Sequence, residues 1–141
     1  MNSAQRIGWS LLAWLAVGAF WLLTTRNFHP TWALALITTG SLVTAYALAS
    51  YANHLLLIPR YLHAGFLWKY LAALLGVMVV LTGLALTVLR ISYIRALGPN
   101  SVRSLEVDFG IDLLGMGVHL AGAAGVVWAV GEFARRRSYI A

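Results

Sequence analysis

Four long apolar runs, each closed by a short cluster of polar, proline or glycine residues, set the rhythm of this chain. A helix of about 20 apolar residues crosses the ~30 Å hydrocarbon of a bilayer, and every run approaches or exceeds that length. The pattern therefore predicts an all-α integral membrane protein, with transmembrane helices over 7–25, 32–58, 70–89 and 109–131 in an up-down bundle that forms one domain. The first run is read as a membrane helix rather than a signal peptide, because only Arg6 precedes it and no small-residue cleavage site follows. Trp9 and Trp21 sit near its two ends, where an amphipathic ring suits the interface.

The breaks have chemical causes. Arg26-Asn27-Phe28-His29-Pro30 ends the first run, since a residue before proline is pushed out of the α region while proline itself suits a first helical turn. Pro59 is expected to stop the second run, and Arg60 to Tyr70 form a basic and aromatic link of the kind a membrane surface selects. Gly98-Pro99-Asn100 marks a turn within a loop running from Arg90 to Glu106.

Periodicity within the runs singles out particular faces. At 100° per residue, Asp108, Asp112, Gly115, His119, Gly122 and Val126 share an arc of roughly 80° on the last helix. An ionised Asp at a helix centre is disfavoured by about 2.5–3.5 kcal/mol on insertion scales, so this face should turn toward protein or water. Its glycines permit close approach by another helix. Two readings stay open: Asp112, His119 and Asp108 flank an ion path, or Asp112 sits at headgroup depth while His119 bonds a nearby carbonyl. Tyr46, Ser50, Asn53 and His54 lie on roughly one side of the second helix, and Gly76 and Gly83 give the third a heptad-spaced packing groove with Thr87.

Composition narrows the classes. Of the 141 residues, 61% are hydrophobic and only 10% charged, well under the ~25% usual in soluble domains. The net charge of +6 arises from Lys and Arg at the ends of apolar runs, which points to lipid headgroups and not to nucleic acid. Arg6, Arg60, Lys69, Arg135, Arg136 and Arg137 fall on one side against Arg26, Arg90, Arg95 and Arg103 on the other, so both termini are expected on the cytoplasmic side of the inner membrane. With no cysteine there is no disulfide or thiolate chemistry. The four acidic residues are Glu106, Asp108, Asp112 and Glu132, and neither a zinc-type His-Glu-x-x-His nor a phosphate-cradling glycine loop occurs, so no enzyme activity is expected.

Haem between facing helices fails on depth. Counted from the same end, His54 lies roughly 33 Å along the second helix and His119 about 14 Å along the fourth, too far apart to ligate one iron. No cofactor is expected. Asp112 and His119 are about 10 Å apart along the axis, so they cannot bond directly but could flank a hydrated path completed by another subunit.

The segment Val107-Asp108-Phe109-Gly110-Ile111-Asp112-Leu113-Leu114-Gly115-Met116-Gly117-Val118 resembles the closing helix of the B subunit of Mrp-type multisubunit cation/proton antiporters. Asp108, Gly110 and Gly117 occupy that family's acidic and glycine positions, and the four-segment layout is similar. The glycine-rich signature that the family carries after its first helix is replaced here by Thr31, Trp32 and Ala33. The resemblance implies a non-catalytic subunit that works with other integral membrane subunits and lipid, not as a lone monomer. In that setting Gly76, Gly83, Gly115 and Gly122 would set helix spacing and the fourth helix would face a partner. The competing expectations are a structural or assembly subunit of a respiratory complex, and a haem or quinone anchor.

Overall fold

Helix α2, Trp32–Ala52, is the hub of the fold: it packs on α1 (Ser3–Thr25), α3 (Leu67–Leu97) and α4 (Leu105–Ile140), and α3 also packs on α4. The computed structural model describes residues 2–140, and among these it contains helices and turns only. Each of the four helices is long and apolar enough to cross a membrane. Neighbours run antiparallel, as three sets of contacts establish. Ser10 meets Tyr51 and Gly18 meets Val43; Asn53 meets Tyr70 and His29 meets Tyr93; Thr82 meets Met116 and Arg90 meets Asp108. The order is therefore up-down-up-down, with the start of α1 and the end of α4 at one end of the bundle.

Local chemistry explains the helix ends. Asn2 and Gln5 exchange side-chain to backbone hydrogen bonds in a capping box that opens α1. A short 3₁₀ turn, Arg26–Phe28, leads to His29, which takes the extended conformation that Pro30 imposes on it. Thr31 then caps α2 by accepting from the Leu34 N–H at 3.2 Å.

All three later helices outrun the sequence expectation. Pro59 does not stop the second helix: the chain continues from Asn53 to Leu62 in wider π-type winding, with His63 N–H bonded to Ile58 O at 3.0 Å. The reason is steric. Proline in an α-helix presses its ring on the carbonyl four residues back, and wider winding relieves that contact. The reversal comes at Gly65, whose φ of +84° suits a residue with no Cβ. Helix α3 runs on through Arg90–Leu97, residues expected in a loop, because nothing breaks it before Gly98-Pro99. Helix α4 begins at Leu105 and extends through its basic end, where Arg135 and Arg136 both pair with Glu132.

The core is small and lies between α2, α3 and the first half of α4. Ala45, Tyr46, Ala49, Ala85, Met116 and Leu120 are buried there, and α1 adds Trp14 at its edge. No residue of α1 is buried. Beyond Leu120 no described residue of α4 is buried either.

Candidate functional site

Around His119 the polar face of α4 turns toward α2 and α1 of the same chain, whereas Gly122 and Val126 on that face are exposed. His119 lies between two aromatic rings: Tyr46 of α2 stacks on it at 4.3 Å between centroids, and Trp21 of α1 flanks it at 5.8 Å. Its two nitrogens have fixed partners. Nδ1 lies 2.7 Å from the Gly115 carbonyl, which can only accept, and Nε2 lies 2.9 Å from Trp21 Nε1–H, which can only donate. Those bonds define the neutral Nδ1–H tautomer, with its lone pair engaged by the indole. The plainer sequence reading, a histidine bonded to a nearby carbonyl, describes His119 well.

Gly115 makes this arrangement possible. A Cβ there would stand 2.8 Å from Tyr46 Oη and 3.6 Å from Cζ, so the phenol head occupies the space that any other residue's side chain would need. Gly76, Gly83 and Gly122 differ from Gly115: an added Cβ at any of the three meets nothing within 4 Å, so they set no spacing inside this chain.

Asp108, one turn before Asp112, is a clamped carboxylate. Arg90 Nη1 donates to Oδ2 and Arg103 Nε to Oδ1, each at 3.0 Å, and Arg90 also donates to Arg103 O at 2.9 Å. The clamp ties the end of α3 to the first turn of α4, where the helix dipole adds to the hold on a negative charge. Both arginines are thus committed. Asp112 is half-buried and, among the described residues, makes no hydrogen bond or ion pair.

Sequence reasoning missed Trp21, Tyr46 and Arg90 as partners of this face. Arg90 carried a usable signal: it lies about as far before the Gly98-Pro99 turn as Asp108 lies after it, which is where an antiparallel hairpin brings residues together. Along α2 and the π-type winding that continues it, Tyr46, Ser50 and Asn53 are buried, whereas His54 is exposed and takes no part. Among the described residues, no three His, Asp or Glu side chains converge as a metal centre would require.

At the same end as the clamp, His29 stands in the α1–α2 turn, paired through Nδ1 with the Tyr93 hydroxyl, while Arg26 Nη1 donates to its carbonyl at 2.9 Å. Burial, and then the Arg26 charge, hold its pKa below the ordinary 6.5. The unfolded chain therefore takes up the proton first, so His29 supports the fold above that pH and its contribution is lost as pH falls. Thermal melts from pH 8 to 5 should show a larger acid loss for the parent than for His29→Gln; parallel curves would contradict this.

Comparison with protein-family models, with curated proteins and with solved structures found no match to this chain.

Proposed function

We propose that the chain is a four-pass inner-membrane protein that serves as a non-catalytic accessory subunit of a larger energy-converting complex of the cation/proton antiporter type. Its part is to support a hydrated ion path. The observation that carries this reading is Asp112, a half-buried carboxylate on an apolar helix whose neighbouring cations are already bound to Asp108. Ionisable groups at such positions mark ion and proton routes, because leaving them unpaired in hydrocarbon is costly. The resemblance of α4 to the antiporter B subunit points the same way. So does the second half of α4, whose exposed Val126, Val127, Trp128 and Val130 offer a face to other membrane subunits or lipid. Orientation follows from charge: the end bearing Arg6, Arg60, Lys69 and Arg135 to Arg137 faces the cytoplasm.

The test is Asp112→Asn in the complex that co-purifies in mild detergent, assayed for cation-driven proton movement in vesicles. Exchange should fall by about a hundredfold or more at unchanged complex yield, the lower end of what a positioned proton-transfer group contributes. Unchanged exchange would remove the proposed role.

The satisfied state of His119 and Asp108 favours a second reading, a purely structural subunit whose polar groups bond only one another. Under it Asp112→Asn leaves exchange untouched, while a bulky residue at Gly122 lowers the yield of assembled complex.

A further inference from the structure

Helix α2 and the first residue of its π-wound continuation bury a line of polar side chains, of which only Tyr46 belongs to the site above. Thr39, Tyr46, Ser50 and Asn53 are all buried, and at 100° per residue they fall within an arc of about 60° over about 21 Å of helix. Two members of the line reach other helices. Near the start of α3, Tyr70 donates its hydroxyl proton to Asn53 Oδ1 at 2.7 Å. Midway along the line, the Tyr46 hydroxyl rests against Gly115, one turn from Asp112.

Ser50 is the informative member. Its residue is 8% exposed and its Oγ, fully buried, has no hydrogen-bond partner in the protein. Serine and threonine on an apolar helix ordinarily return their proton to a carbonyl one turn back, and Thr24, Thr25, Thr87 and Ser92 do so here, on Phe20, Trp21, Gly83 and Val88. Ser50 does not. An orphaned buried hydroxyl costs free energy unless water meets it, and a water held there has the Asn53 amide one turn on as a second polar group.

We propose that this face of α2 is a hydrated seam through the bundle, a water-lined route from Asp112 past Tyr46 and Ser50 to the Asn53–Tyr70 pair. It rests on the ion-path reading for its use and stands apart from it as a physical claim. The ligand is water, and the cargo is a proton or hydrated cation passing along it. The seam runs along the edge of the apolar core, of which Tyr46 is the polar member: Ala49, next to Ser50 and 100° round the helix, is fully buried in the cluster with Ala45, Ala85 and Met116.

Because the chain has no cysteine, single cysteines report accessibility without background. Ser50→Cys, Ala49→Cys and Leu48→Cys would be compared in reconstituted vesicles with a membrane-impermeant cationic methanethiosulfonate, applied from either side. Leu48 is the outward-facing control, on the opposite side of α2 and 51% exposed. Thiols react as thiolates, which form in water and not in apolar surroundings, so Ser50→Cys should label at least about tenfold faster than the other two. Labelling of Ser50→Cys as slow as that of Ala49→Cys would overturn the seam, and so would equal fast labelling of all three. Should Ser50→Cys label while Asp112→Asn leaves exchange unchanged, the seam stands and the antiporter reading falls. Serine to cysteine is nearly isosteric, so the fold is preserved for the comparison.

Discussion

Replacing Asp108 by Asn is expected to destabilise the fold by about 3–5 kcal/mol, the range found when one member of a buried pair is removed and its partner's charge is left behind. Arg90 is the partner that suffers. Its side chain is 20% exposed and it reaches Asp108 from α3, whereas the Arg103 side chain is 69% exposed and can turn to solvent. Arg103→Ala should therefore cost only about 0–1 kcal/mol, as exposed pairs do. The residual exposure of Arg90 places Asp108→Asn toward the lower end of its range. Unfolding of both variants in mixed detergent micelles gives the comparison directly. Equal small losses would mean that the clamp is a solvated surface network and does not join α3 to α4.

The second large effect belongs to Gly115. Gly115→Ala puts a methyl group 2.8 Å from Tyr46 Oη, and the phenol cannot simply swing away because its ring is stacked on His119. Overpacking of this kind costs about 1–3 kcal/mol. The cost should be largely recovered by Tyr46→Phe, which deletes the atom in conflict, so the two substitutions are expected to be non-additive. Gly122→Ala is the control: it meets no neighbour and should be neutral or slightly stabilising, since alanine favours the helix by up to about 1 kcal/mol over glycine. If Gly115→Ala and Gly122→Ala behave alike with Tyr46 present, close approach at Gly115 is not what positions α4.

The four helices were legible because apolar runs of that length leave few alternatives, and the shared face of Asp108, Asp112 and His119 followed from the helical period alone. What the face meets was not legible. Trp21 lies 98 residues from His119, and nothing local in either stretch reveals the indole to imidazole bond. Glycine spacing did not report contacts within the chain, for a related reason. Gly76 and Gly83 have the heptad separation of a packing groove, yet the buried residues of α3 are Thr82, Ala85, Leu86 and Leu89, and an added Cβ at either glycine meets nothing within 4 Å. Pro59 failed as a stop signal because its steric conflict has a second remedy, wider winding, that sequence rules treat as rare.

Stability is shared unequally among the four helices. Helices α2 and α3 with the first half of α4 hold the buried residues, while α1 lies along them like a shutter with a polar latch near each end, Ser10 on Tyr51 and Trp21 on His119. Sliding that shutter aside would break both of those hydrogen bonds and lift Trp14 off the core. The outer edge of the imidazole would then open to the surroundings.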